Sequence, residues 1–202
     1  MPTTFTTPGL REALTRIIQR LEACSDELNL LDARLGDGDL GVTMLRGAHA
    51  LAAELPSLPE DIGMALLKCA GAFTRISGST YGTLLATGLM SAAKATKGRT
   101  QVPFIEISSL MGGALQAMSK RSGAQLGEKT VLDAIEAARV ATEGLDDPST
   151  LVAAAERAIG QCLGQFRNQP ARQGRARIFL EKSVGIDDPG MVAFQRMVEG
   201  LK

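Results

Sequence analysis

One histidine, His49, and three scattered cysteines, Cys24, Cys69 and Cys162, are all the imidazole and thiol groups in 202 residues. That scarcity leaves little with which to hold zinc or copper, and an odd cysteine count without a paired short spacing argues against a disulfide framework. A reducing, cytoplasmic setting fits such usage. Excess charge is missing too. Lysine plus arginine equal aspartate plus glutamate at 22 each, so no global field draws the chain to nucleic acid or to an anionic membrane. No run of about 18 uncharged apolar residues occurs. Residues 1–10 lack the basic start and apolar stretch of a secretory leader. Period-two runs of β-branched residues are scarce, with Phe104–Ile107 the one weak strand candidate.

What remains is helix around a core. Hydrophobic residues make up 45% of the chain, enough for a sizeable interior, and the length predicts a single domain over residues 1–202. After Pro8 and Gly9, the spacing of Leu10, Leu14, Ile17, Ile18 and Leu21 puts them on one helical face. That first helix is predicted to run to about Leu28. Further amphipathic segments are predicted at about 41–54, 59–75, 81–97, 104–122, 130–143, 149–166 and 189–201, punctuated by glycine and proline. Alanine-rich stretches such as 134–141 and 153–158 favour helix and let helix axes approach closely. The fold class read from this pattern is all-α.

Three places can carry chemistry. The first crowds Asp32, Asp37 and Asp39 into eight positions with Arg34 as the nearby base, and its glycines, Gly36, Gly38 and Gly41, cannot sustain a helix. Gathered carboxylates repel one another, and a hard divalent cation neutralises them. Mg²⁺ bound by a few aspartates completes its octahedron with phosphate oxygens or water, which points to a phosphorylated ligand. A calcium loop of the EF-hand type is excluded, because position twelve counted from Asp32 or Asp37 is Thr43 or Ala48 rather than glutamate. An acidic turn capping the next helix is the plain alternative.

The second place is Ile76–Thr83, small residues opening a helix whose first amides can meet an anion. Ser79 or Thr80 as a simple N-cap is the alternative there. No P-loop is present. The third lies in the aperiodic stretch from Arg167 to Gly190: between Arg167 and Lys182, the bases Arg167, Arg172, Arg175, Arg177 and Lys182 face one acid, Glu181. Long loops inside compact domains are commonly lids, and arginines on them can grip phosphates; a solvated basic loop is the alternative. His49 reads as a structural or surface residue, and the methionines as core filler.

Taken together, Leu28-Asn-Leu-Leu-Asp32, Gly36-Asp-Gly-Asp-Leu-Gly41, Ser77-Gly-Ser-Thr-Tyr-Gly82, Gly127-Glu-Lys-Thr-Val-Leu-Asp133, Gly174-Arg-Ala176 and Asp188-Pro-Gly190 resemble, in order and spacing, the nucleotide-binding subunit of dihydroxyacetone kinases, DhaL. The resemblance implies a barrel of eight antiparallel helices with the nucleotide at one end. It implies Asp32, Asp37 and Asp39 as ligands of Mg²⁺, two ions in all, bridging the phosphates of ATP or ADP. It places Leu40, Gly41, Thr43, Ser79 and Thr80 along the phosphates, Gly127 and Val131 at the adenine end, Arg175 in the lid, and Asp188, Pro189 and Gly190 against the nucleotide. Arg175 joins the three aspartates in the implied catalytic set.

Two positions depart from the family pattern. Leu40 stands where members commonly carry a histidine that donates to phosphate, and the glycine-rich turn is bulkier, with Tyr81. The implied activity is phosphoryl transfer to a small keto substrate held on a separate DhaK-like subunit, with a phosphotransferase-system protein as an alternative donor through bound ADP. A homodimer is compatible with it. Another sugar or sugar-acid acceptor, or a non-catalytic ADP-dependent regulatory role, are the competing readings.

Overall fold

The computed structural model describes residues 3–76 and 79–202, Ile76 by its backbone alone. Ser77 and Gly78 of the expected phosphate turn lie outside the described residues. Among those described, eight α-helices follow in order: α1 (Thr7–Asp32), α2 (Leu40–Glu54), α3 (Ile62–Ile76), α4 (Thr80–Thr96), α5 (Ile107–Ser122), α6 (Val131–Ala141), α7 (Pro148–Arg167) and α8 (Pro189–Glu199). The all-α reading holds.

Apolar spacing explains the packing. In α1, Ile18, Leu21, Cys24 and Leu28 turn inward, with Pro8 fitting the first turn, where an N–H has no helical acceptor. They join Met44, Ala48, Leu51, Cys69, Phe73, Ala134, Ile159, Leu163, Met191 and Val198 in one core drawn from almost every helix. Each helix packs on its sequence neighbours, and α8 returns to α1.

Two details correct the sequence reading. The first helix runs on past Leu28 to Asp32, because no glycine or proline interrupts it before Gly36, so Asp32 sits on a helix end rather than in a loop. The weak strand candidate at Phe104–Ile107 is not a strand: Phe104–Glu106 is a 3₁₀ turn, and Ile107 opens α5 within the helix expected at 104–122. Extended backbone occurs instead as β1 (Thr4–Thr6), antiparallel to β2 (Gln101–Pro103), with Phe5 opposite Val102. Strands this short carry no readable alternation.

The connections gather in two groups. At one end, the Thr7 hydroxyl donates to the Pro59 and Glu60 carbonyls (2.9 and 3.0 Å), and the Gly98 amide donates to Asp61 Oδ2 (2.8 Å). The expected site residues lie in the other connections, 33–39, 123–130 and 168–188, or on the helix ends that adjoin them and at the start of α4.

Candidate nucleotide and metal site

The carboxylate loop is braced by its helices. Asp32 ends α1 and Asp39 precedes α2, and the Asp39 amide donates to Asp32 Oδ2 (3.1 Å). Asn29, one turn back, accepts from the Val42 amide at 3.1 Å through Oδ1, tying the end of α1 to the start of α2. The helices cross so closely at Gly41 that a Cβ there would overlap the Ser25 carbonyl oxygen. At Gly36 a Cβ would come within 2.6 Å of Asp32 Oδ1. Space thus requires glycine at Gly41, where the obstacle is backbone, whereas at Gly36 a side chain would displace the Asp32 carboxylate.

One carboxylate oxygen from each of Asp32, Asp37 and Asp39 lies within 4.8 Å of the other two. Asp37 and Asp39 are exposed and Asp32 is partly buried. The Arg175 guanidinium is ion-paired with Asp37. One cation against three carboxylates leaves net negative charge at a point where oxygen ligands converge, which suits a hard divalent ion.

Arg175 reaches this loop because its segment packs on it. Leu35, inside the carboxylate loop, is buried with Ala171 and Ala176 against Phe179 and Ile186. Arg175–Ser183 forms 3₁₀ turns broken at Leu180, whose φ of 42° is left-handed. At the base of the segment Arg167 is paired bidentately with Asp187 (2.7 and 2.9 Å).

Helix starts line the same end. The Gly127 amide donates to Asp133 Oδ1 (2.6 Å) and the Thr130 amide to Asp133 Oδ2 (2.8 Å), while Thr130 Oγ1 accepts from the Leu132 amide, forming a capping box at α6. Ser79 occupies the N-cap position of α4 without a side-chain bond to its first amides, and Thr80 is exposed on its first turn. The neighbouring Tyr81 hydroxyl donates to the Gly190 carbonyl (3.1 Å), fastening the start of α4 to that of α8. Burial pushes the Tyr81 phenol up. Asp188 caps α8 by accepting from the Met191 amide (2.8 Å), and burial raises its carboxyl to about 7 against a smaller pull from Lys129.

Not every expected residue offers its side chain. Leu40 and Val131 are buried in apolar clusters, Leu40 beside Met44 and Leu28, Val131 beside Met118 and Ile135. Gly41 is consumed by the helix crossing. Their contact with a ligand can only run through backbone. Thr43 is partly exposed one turn into α2, its amide bonded to the Asp39 carbonyl (2.9 Å). His49 is a surface residue 3.3 Å from Glu22.

Three residues outside the expected set shape the site: Asn29, Leu35 and Lys129. The last is 1% exposed, with a left-handed φ of 62°. A cavity of about 310 Å³ between α6 and α7, lined by Leu126, Asp133, Glu136, Cys162 and Phe166 among others, touches none of the three aspartates. The carboxylate centre lies at the surface, with Asp37 and Asp39 exposed.

A family model, DAK2 domain, matches residues 34–202. The Escherichia coli "PEP-dependent dihydroxyacetone kinase, ADP-binding subunit DhaL" is 30% identical over 200 residues, covering 93% of this chain and 95% of that protein. The Mycolicibacterium smegmatis "L-erythrulose 1-kinase" is 31% identical over 96% of this chain but only 36% of its own length. Among solved structures, the dihydroxyacetone kinase of C. freundii in native form superposes with a TM-score of 0.77 at 22% identity, over 95% of this chain and 33% of that one. The same enzyme "in complex with AMP-PNP and Mg2+" gives a TM-score of 0.74 at 24% identity, again over 95% of this chain and 33% of the other. No helix among the described residues is long and apolar enough to cross a membrane. A match over residues 34–202 and near full-length similarity to a DhaL subunit place this chain in the DAK2 domain family.

Proposed function

We propose that this chain is the nucleotide-binding, phosphoryl-transferring subunit of a dihydroxyacetone-type kinase, working as one domain over residues 1–202. The observation that carries the reading is the convergence of Asp32, Asp37 and Asp39 within 4.8 Å, with Arg175 on Asp37. Near full-length similarity to a DhaL subunit supports it.

Asp32, Asp37 and Asp39 would hold Mg²⁺, two ions on this reading, which supplies charge neutralisation to the phosphate oxygens of ATP or ADP. The chain's own residues do the rest. The first turns of α2 (Leu40, Gly41, Thr43) and α4 (Ser79, Thr80) present helix N-termini toward phosphate, where the dipole favours negative charge. Gly127, with the backbone of Val131, borders the adenine end, and Asp188, Pro189 and Gly190 close the opposite edge. With the aspartates holding the metal, Arg175 would be free to exchange Asp37 for phosphate, a bidentate cation suited to the charge being transferred.

The keto substrate would sit on a separate DhaK-like subunit, and the phosphoryl group crosses the interface from ATP, or from ADP recharged by a phosphotransferase-system protein. The three buried, free cysteines suit the cytoplasm, Cys69 and Cys162 having thiols raised to about 11 by burial. A different acceptor, a four-carbon ketose, is the second reading, favoured by the similarity to the mycobacterial L-erythrulose kinase.

Calorimetry with MgADP tests the reading. Wild type is expected to bind, and Asp37→Ala combined with Asp39→Ala to lose binding by more than about a hundredfold, since two of three metal ligands go. Equal binding by both proteins would remove the basis of the assignment. Phosphorylation of dihydroxyacetone against erythrulose, with the cognate substrate subunit present, separates the two acceptors.

A further inference from the structure

Lys129 is 1% exposed, and among the described residues no carboxylate is ion-paired with its ammonium, Asp188 and Asp187 acting on it only from beyond contact. Nζ donates instead to three backbone carbonyls, those of Arg167 (3.2 Å), Gln169 (2.8 Å) and Ser183 (3.0 Å). An ammonium has three N–H donors and no acceptor, so its capacity is filled. Two of the carbonyls lie at the C-terminal end of α7, where the helix dipole and unpaired C=O groups favour a cation. Burying a lone charge is costly unless it is compensated in this way.

The three carbonyls stand at the two sides of one connection, 168–188: Arg167 and Gln169 where the chain leaves α7, Ser183 shortly before it enters α8. Lys129 therefore closes the neck of a loop whose ends are brought together, as in an Ω-loop. Lighter ties repeat the closure. The Gly185 amide donates to the Arg167 carbonyl (2.8 Å), the Ala171 amide to Ser183 Oγ (2.8 Å), and the Arg172 amide to the Glu128 carbonyl (3.1 Å). Arg175 lies between the two sides of this neck, at the start of 3₁₀ turns that the non-helical backbone of Leu180 interrupts.

We propose that Lys129 is a positioning residue for the nucleotide site: by closing the neck of the 168–188 connection it holds Arg175 where the guanidinium reaches the Asp32–Asp39 loop. The proposal rests on the reading of Arg175 as a nucleotide-gripping lid residue. It also accounts for the left-handed backbone at Lys129, a conformation costly for any residue but glycine, asparagine or aspartate. Thr130 caps α6 at the next position, so the lysine and the cap fasten the segment to a helix start.

The experiment is a double-mutant cycle on the full chain, with MgADP as the calorimetric probe and hydrogen exchange on the nucleotide-free proteins. Wild type, Lys129→Met, Arg175→Ala and the double variant are compared. Lys129→Met is expected to weaken MgADP about tenfold in the wild-type background and less than about twofold beside Arg175→Ala, the non-additivity of residues acting as one unit. Amides of 170–184 should exchange faster in Lys129→Met, with those of α2 unchanged. If Lys129→Met weakens binding equally in both backgrounds, or not at all while Arg175→Ala does, the lysine has no positioning role and the lid reading stands. If Arg175→Ala binds like wild type, the lid reading falls and this proposal with it. Should Lys129→Met not fold, Lys129→Gln, which keeps a donor on a shorter stem, is judged by the same criteria.

Discussion

Arg175 is ion-paired with Asp37 across two connections that are 138 positions apart in sequence, by subtraction of their numbers. The pair is exposed on both sides, with side chains 65% and 43% accessible, so its contribution to folding is small, as exposed ion pairs generally are. Its meaning lies in competition. The carboxylate that Arg175 occupies is one that a cation between Asp32 and Asp39 would also claim.

Arg175→Ala is therefore expected to change two affinities in opposite directions. Bare Mg²⁺ should bind several-fold more tightly, because the carboxylates lose their built-in counter-charge. MgADP should bind about tenfold more weakly, because a charge-assisted contact to phosphate is lost. Calorimetry with MgCl₂ and then MgADP reads both. Parallel changes of the two affinities would rule out the exchange of partners, and a thermal midpoint within about 2 °C of wild type would confirm that stability is not involved.

Gly41→Ala tests the brace beneath the aspartates. The new methyl would overlap the Ser25 carbonyl, a backbone atom that cannot swing aside, and would also press on Asn29 Oδ1. The ends of α1 and α2 must then separate, moving Asp32 from Asp39. Overpacking of this kind costs about 1–3 kcal/mol or more. Denaturant unfolding should show that loss together with abolished MgADP binding, and a variant of wild-type stability and affinity would contradict the close crossing.

The capping box at α6 offers a milder probe. Thr130 and Asp133 satisfy the amides of Leu132, Thr130 and Gly127. Thr130→Ala removes one acceptor, which at an N-cap is worth about 1 kcal/mol, or roughly 2–4 °C in a chain of this size. Since the box also sets the Gly127 turn, a weaker grip on MgADP is expected beside the small thermal shift. A thermal scan and one titration check both.

Several of these relationships were legible in the sequence and several were not, for physical reasons. Three aspartates in eight positions betray themselves, because nothing but a ligand or a cap explains such repulsion, and the helices follow from the spacing of residues such as Ile18, Leu21 and Leu28. By charge alone Arg175 is one of several basic residues in a loop, and only the resemblance through Gly174-Arg-Ala176 singles it out. The contact that brings it to the aspartates, Leu35 packing with Ala171 and Ala176, joins distant segments and is encoded in no local pattern. Lys129 was hidden more thoroughly. A lysine between Glu128 and Thr130 looks like solvent-facing polarity, and its burial depends on carbonyls from residues 167–183. Leu40 is a case apart: its apolar side chain lies in the core, which leaves its backbone at the start of α2 to face a ligand.

Asp188 supplies a prediction in pH. Burial raises its carboxyl to about 7 from an ordinary 3.8, with Lys129 pulling it down and Asp133 pushing it up by smaller amounts. Between about pH 4 and pH 7 the folded chain therefore keeps a proton that the unfolded chain has released, and stability must fall as pH rises through that window. The contribution is fully present below the lower value and gone above the upper one. Asp188→Asn is neutral throughout and keeps an oxygen to accept from the Met191 amide, so the cap survives while the titration does not. Carboxylates that their arginine partners hold low, such as Glu27 with Arg196 and Glu136 with Arg139, act with the opposite sign in both proteins and cancel in the difference. Denaturant unfolding at pH 5, 6, 7 and 8 should show the variant gaining on wild type as pH rises, with little further gain beyond the last step. Parallel stability curves would mean that the Asp188 carboxyl titrates alike in folded and unfolded chains, and that its seat at the head of α8 is wetter than the packing around Tyr81 and Pro189 implies.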